Sequence, residues 1–411
     1  MSTMRLGPIT ILVLDGLGIG AMPDAAERDA AAHTLRHVLE SSAGHELPYL
    51  QRLGLLEVAG FANAGDSPVQ AARGRAALDY PGADTYLGHQ ALMGVPTEAV
   101  RLHMLDAVSA ELADALSQTG HRVAPASAET SALLVDGVAV VADNVEAAAG
   151  LNINVTASLD EISFDALLEI GEVVRRVAAV PRVIVVGGRG YLANDIIGSF
   201  RAEGPGHVGV DTPHLGVYDQ HYQVRHLTAP LETSRSLPAA VLRSGREVML
   251  LGKAADVIDA DTTRRSSQIP TAEVLAAAED ALASGFDGLL VANVQETDLA
   301  GHEQDPARFL RVLSQVDEAV PNLLRRGPAG CLLVTADHGN DPAIGHSQHT
   351  REFVPVLMTG PGMAARQLGT LMLSDVAATV AELMGVPQPG VGSSFAADLA
   401  LAAGDQVSMM S

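Results

Sequence analysis

The densest chemistry in this 411-residue chain lies in VTADHGNDPAIGHSQH, residues 334–349. An apolar run from Cys331 to Thr335 reads as a buried strand that ends in Asp337 and His338, and a further imidazole follows at His349. Carboxylate and imidazole at the exit of a buried strand are poor core material, because burying them unpaired is costly. They suit divalent cations, since carboxylate oxygen and neutral imidazole nitrogen are common ligands of Zn and Mn. Alone, the segment also admits the lesser reading of a surface loop with histidines. Three further patches change the balance: Asp15 with Gly16 and Gly18, Thr85 and His89 in GADTYLGHQ (82–90), and Asp298 and His302 in ETDLAGHEQD (296–305). Asp15, Asp298 and Asp337 with His302, His338 and His349 are enough for a pair of ions. Two ions about 3.5–4 Å apart can clamp the attacking and leaving oxygens of an in-line phosphoryl transfer. A cation beside a hydroxyl also lowers its pKa, which makes Thr85 a candidate nucleophile.

These residues need elements to hold them. Short β-branched runs occur at 9–16, 182–188, 247–253, 288–294, 331–339 and 353–360. Continuous apolar runs of this length, separated by helical patterns, predict parallel strands buried on both faces. Helices are predicted over 271–285 with Thr271 as N-cap, over 305–326, and over 373–385 from Ser374 to Gly385. The alternation is that of a doubly wound α/β sheet, in which ligands bind beyond the carboxyl ends of the strands. Asp15, Lys253, Asn293 and Asp337 all fall at such ends. Residues 102–221 differ in texture, with helical stretches at 102–119 and 163–177 and a Gly/Pro/His-rich passage. The expected organisation is a core of 1–101 and 222–411 interrupted by an inserted α+β cap domain, 102–221.

Composition narrows the function. Lys and Arg total 26 against 49 Asp and Glu, a net charge of −23. Such acidity disfavours nucleic acid, whose binding depends on neutralising phosphates. The single cysteine, Cys331, sits in an apolar run and reads as a core residue of a protein from a reducing compartment. The N-terminal apolar run is too short for a signal segment, and no window approaches a membrane span, so the expectation is a soluble, cytoplasmic protein.

The segments LDGLGIGAMPDA, ADTYLGH and TADHGNDPAIGHSQHTREFVPVL resemble the phosphopentomutase family of alkaline phosphatase superfamily metalloenzymes. The resemblance covers most of the chain, closely in the core and more loosely in the middle. It implies a phosphomutase, an isomerase in which a phosphothreonine and two divalent ions interconvert ribose 1-phosphate and ribose 5-phosphate. Mn2+ is the ion it implies first, with Zn2+ or Mg2+ as alternatives. Carried onto this chain, it makes Thr85 the phosphoryl carrier, with Asp15, Asp337 and His338 holding the adjacent metal and Asp298, His302 and His349 the other. Lys253 matches a lysine that contacts the substrate phosphate. The inherited scheme passes through a bisphosphate that reorients and returns its other phosphate to Thr85, after priming by a sugar bisphosphate.

Three departures bear on the substrate. The family's T-G-H-W-E after the nucleophile is replaced by Tyr86, Leu87, Gly88, His89 and Gln90. Asp298 stands four residues before His302, where the family has five. Ser158 occupies the place of a sugar-contacting aspartate, and the passage that carries a phosphate clamp in the family has no arginine here. Arginine suits phosphate because its planar fork donates paired hydrogen bonds. Ser158, His207, His214 and Lys253, with Arg189 nearby, are the remaining substrate-binding candidates. The reading is a divergent phosphopentomutase-like enzyme acting on a small phosphorylated metabolite. A metal-dependent phosphatase or phosphoesterase on the same residues is the alternative.

Overall fold

Central strands of the sheet that carries Ile9–Leu14 are almost wholly apolar, and each ends where polar residues begin. The computed structural model describes residues 7–41, 46–61, 71–217, 221–325 and 330–399. The chain forms two compact units, one of residues 1–97 and 232–411, the other of residues 98–231.

Eight strands form the sheet of the first unit. In spatial order they are Arg264–Ser266, Glu247–Gly252, Gly288–Val294, Ile9–Leu14, Cys331–Thr335, Val354–Thr359, Ala72–Ala77 and Gln367–Met372. The first five run parallel. Ile9–Leu14 lies at the centre with every residue buried, paired with Gly288–Val294 on one side and Cys331–Thr335 on the other. Side chains buried on both faces explain why these strands read as continuous apolar runs.

One strand expectation needs correction. Val354–Thr359 is antiparallel to both its neighbours, because it follows directly from the loop after Asp337 without a helical crossover. Arg182–Gly188 belongs to the second unit. Ala72–Ala77, ARGRAA, is a strand that apolar runs do not reveal; only alternate residues of it are buried.

The helices Thr271–Ala283, Pro306–Arg325 and Asp375–Met384 form where the periodicity predicts. Thr271 is not the cap: Pro270 occupies that position, while Thr271 is buried as the first helical residue. Ser374 is the N-cap residue of its helix, but its hydroxyl bonds Asp79. Gly385 ends that helix in the left-handed conformation, φ +67°, which glycine adopts without a Cβ penalty.

In the second unit the strand order is Gln223–Thr228, Arg182–Gly188, Asn152–Ser158, Ala139–Asp143, Leu133–Val135 and Val123–Pro125. Helices Ser109–Gln118 and Phe164–Val177 supply apolar residues to a core with Ile153, Val155 and Val185. The unit extends beyond 102–221 because Gln223–Thr228 pairs antiparallel with Arg182–Gly188. No helix among the described residues is long and apolar enough to cross a membrane.

Candidate active site

Four adjacent parallel strands deliver Lys253, Asn293, Asp15 and Asp337 to one edge of the sheet. The register aligns Gly252 with Asn293, Leu14 with Val294 and Val13 with Thr335, so all four residues fall within two positions of one another along the strands. Asp15, Asn293 and Asp337 are fully buried.

Thr85 approaches this edge as the first residue of the helix Thr85–Leu92, which Asp84 caps by accepting from the Leu87 backbone N–H at 3.0 Å. Its hydroxyl donates to Asp337 Oδ2 at 2.9 Å. The approach needs Gly88: a Cβ there would lie 2.7 Å from the Asp337 carbonyl oxygen. The other carboxylate oxygen, Asp337 Oδ1, accepts from the Gly16 backbone N–H at 3.2 Å. Gly16 turns the chain away from Asp15 at φ +75°, and a Cβ would meet the side chain of Asn340.

Beside Thr85, two groups bring ligand-type atoms within 4.8 Å of one another: Asp298, His302 and His349, and Asp15, Asp298 and His338. Asp298 belongs to both. Its Oδ2 lies 3.5 Å from His302 Nε2, its Oδ1 3.4 Å from His349 Nε2. The four-residue spacing to His302 therefore spans one helical turn, within Glu296–His302. His338 Nε2 is 3.2 Å from Asp337 Oδ2 and 3.6 Å from Asp15 Oδ1.

The donor set fits divalent cations. Each imidazole uses Nδ1 to donate to a backbone carbonyl: His302 to Ser347, His338 to Gly339 and His349 to Ala83. That places the hydrogen on Nδ1 and leaves the Nε2 lone pair for a ligand, with the Nε2 atoms of His302 and His349 3.1 Å apart. Among the described residues, Asp15 Oδ1 and His338 Nε2 are buried polar atoms without a hydrogen-bond partner. Burial lowers the pKa of His338 and His349, which favours the neutral, ligating form.

Three carboxylates crowd this buried space. Burial and the charge of Asp337 push Asp15 up to about 7, against the pull of Lys253. Burial opposes ionisation of Asp298 and Asp337 as well, but the Lys253 ammonium holds the first well below the carboxylate range, and the hydrogen bond from His89 together with Lys253 holds down the second. The Lys253 ammonium lies 3.0 Å from Asp15 Oδ2 and 2.9 Å from Asp298 Oδ2. Placed by sequence as a phosphate contact, it sits here as a bridge between two carboxylates.

The other substrate-binding candidates lie in the second unit. The Ser158 hydroxyl, buried, accepts from the Asp160 N–H at 3.2 Å. His207 is buried and donates from Nε2 to the Asn144 carbonyl at 2.8 Å. His214 is exposed. Arg189 pairs with Asp160 at 2.7 Å.

Several supporting side chains escaped the sequence reading. Tyr80 donates to the Asp337 carbonyl at 2.6 Å, Thr297 to the Asp15 carbonyl at 2.6 Å, and Asn340 Nδ2 to Asp298 Oδ1 at 2.8 Å. Asn340 lies inside the 334–349 motif and was findable there; Tyr80 carries no local signal.

Residues 7–388 match the model of the Metalloenzyme superfamily. A phosphopentomutase of Deinococcus radiodurans is 32% identical over 94% of this chain and 98% of that protein. The phosphopentomutase of Symbiobacterium thermophilum is 32% identical over 94% and 97%. The chain belongs to the phosphopentomutase family. A solved phosphoglycerate mutase of Leishmania mexicana has the same fold, with a TM-score of 0.50 at 16% identity over 96% of this chain and 98% of that one. Membership in the phosphopentomutase family accounts for the strand-end cluster as a metalloenzyme site.

Proposed function

We propose that this member of the phosphopentomutase family is a metal-dependent phosphomutase that moves a phosphoryl group within a phosphorylated sugar by way of Thr85. The observation that carries the reading is the Thr85 hydroxyl, first in its helix and 2.9 Å from Asp337 Oδ2, beside two ligand-type triplets that share Asp298. Asp15, Asp337 and His338 would hold one ion, with Thr85 beside it, and Asp298, His302 and His349 the other. Mn2+ is the ion we assign, with Zn2+ and Mg2+ as competitors. Bound there, divalent ions supply positive charge to phosphoryl oxygens and favour the deprotonated hydroxyl.

The chain's own residues do the rest. Asp337 Oδ2 accepts the Thr85 hydroxyl hydrogen and orients the oxygen for in-line attack. A phosphoryl group on Thr85 would sit at a helix N-terminus, where the backbone dipoles favour negative charge. Burial of Asp15, Asp337 and His338 keeps bulk water from the carrier and so favours return of the phosphoryl group to substrate over hydrolysis. The phosphatase alternative has no specific observation in its favour.

The relatives named phosphopentomutase support a pentose phosphate as the first substrate to test. Arg189 and Arg201 pair with acids of their own unit, Asp160 and Asp211 among them, which supports a substrate phosphate held with fewer guanidinium contacts. The buried thiol of Cys331 and the acidic surface are consistent with work in a cytoplasm. The test is incubation of the Mn2+-loaded protein with glucose 1,6-bisphosphate, then with ribose 1-phosphate. A phosphoryl adduct on the Thr85 peptide, followed by appearance of ribose 5-phosphate, is expected. Stoichiometric release of inorganic phosphate without isomer would overturn the reading.

A further inference from the structure

Asn293 and His89 are both fully buried behind the candidate site, and neither belongs to the ligand triplets. The two N–H bonds of the Asn293 amide are both engaged. One donates to Asp15 Oδ2 at 3.0 Å and the other to His89 Nε2 at 2.9 Å. The reverse amide orientation would set a carbonyl oxygen against the Asp15 carboxylate, so Asp15 fixes which way Asn293 points. Asn293 in turn fixes the imidazole: its donated hydrogen makes Nε2 an acceptor and leaves the His89 hydrogen on Nδ1. That hydrogen faces the Thr85 carbonyl at 2.8 Å, and Asp337 Oδ2 lies 3.2 Å from the same nitrogen.

The two ends of this chain of contacts meet at the reacting group. Asp337 Oδ2 takes the Thr85 hydroxyl from one side and faces His89 Nδ1 from the other. With Oδ1 held by the Gly16 N–H, the carboxylate has lost its rotational freedom. The helix that starts at Thr85 is held at the same time, through its first carbonyl.

We propose that Asn293 and His89 are a positioning pair that locks the Asp337 carboxylate and the Thr85 backbone in the orientation needed for phosphoryl uptake, and so couples the placement of Asp15 to that of the carrier hydroxyl. The inference rests on the reading of Thr85 as phosphoryl carrier. Neither residue touches the substrate; both act through Asp337 and Thr85.

The tautomer makes the proposal testable. In His89→Asn the side-chain amide can replace the Nδ1 donor, whereas in His89→Gln it reaches toward the Nε2 position, away from Thr85. The experiment follows phosphate appearing on Thr85 by mass spectrometry, using full-length, Mn2+-loaded protein and a range of glucose 1,6-bisphosphate concentrations. His89→Gln and Asn293→Ala are expected to lose about 10- to 100-fold in the saturating rate, with half-saturation unchanged within about twofold. His89→Asn is expected to recover at least about tenfold over His89→Gln. Equal rates for the two His89 variants, or a full saturating rate in Asn293→Ala, would overturn the pairing while leaving Thr85 as the carrier. If the His89 variants fail to fold by circular dichroism, Asn293→Ala decides alone. If the unmodified protein takes up no phosphate, the carrier reading itself fails and this inference with it.

Discussion

Thr85 and Asp337, 252 positions apart in the chain, share a hydrogen bond of 2.9 Å in a fully buried carboxylate's reach. The pairing makes Asp337 the acceptor of the hydroxyl hydrogen as well as a candidate ligand. Thr85→Ala should therefore abolish covalent phosphate, and Asp337→Asn should lower the rate by at least about 100-fold. Thr85→Ser should keep the rate within about tenfold. Intact-protein mass spectrometry after incubation with a sugar bisphosphate reads all three.

Lys253 is the ammonium that balances Asp15 and Asp298. Removing one partner of a buried ion pair costs about 3–5 kcal/mol. Lys253→Met should thus destabilise the chelator-treated protein by about that amount, and the Mn2+-loaded protein by clearly less, since ions supply the lost charge. Urea unfolding with and without Mn2+ measures the difference. Equal losses in both states would show that the metals bind elsewhere.

Gly88 faces Asp337 so closely that a Cβ would lie 2.7 Å from the backbone oxygen and 3.0 Å from the Asp337 Cβ. Gly88→Ala should push the Thr85 helix off the strand exit. The expected cost is about 1–3 kcal/mol of stability, together with a loss of phosphoryl uptake larger than the change in melting temperature would explain.

Asp143, buried in the second unit, has its carboxyl pushed up to about 6 by burial, although the Leu105 N–H donates to it. A native pKa above the unfolded value of about 3.9 means the native state binds more protons between about pH 4 and 6. Asp143 therefore costs nothing below that window, and stability falls as pH rises through it. Asp143→Asn should stabilise the protein by up to about 3 kcal/mol above pH 6 and leave it unchanged near pH 3.5. Thermal melts of both proteins across the window test the sign.

The Cys331 thiol, buried among strand residues, is pushed up to about 12 by desolvation. Since the thiolate is the reactive form, a thiol reagent at pH 8 should label the protein only after denaturation. Rapid labelling of the native state would contradict its place in the core.

How much was legible beforehand depended on how local the signal was. The strands Ile9–Leu14, Gly288–Val294 and Cys331–Thr335 announce themselves because residues buried on both faces must be apolar. Ala72–Ala77 does not, since ARGRAA is half-covered and its burial alternates. The antiparallel turn of Val354–Thr359 was equally hidden, because strand direction depends on the connection and the partner. Among the site residues, Asp298 departs from the family's spacing, yet its carboxylate reaches both His302 and His349. Lys253 was recognisable as a strand-end cation, but not as the bridge between Asp15 and Asp298.

The amino-acid sequence determined by itself which residue types stand at the strand ends, since an apolar run followed by Asp, His or Lys marks where burial stops and chemistry starts. Only the tertiary structure decided which ends are neighbours. Strand order and register bring Asp15 beside Asn293 and Lys253, across sequence separations of 278 and 238. That choice rests on packing between distant segments, to which no local pattern of side chains is sensitive.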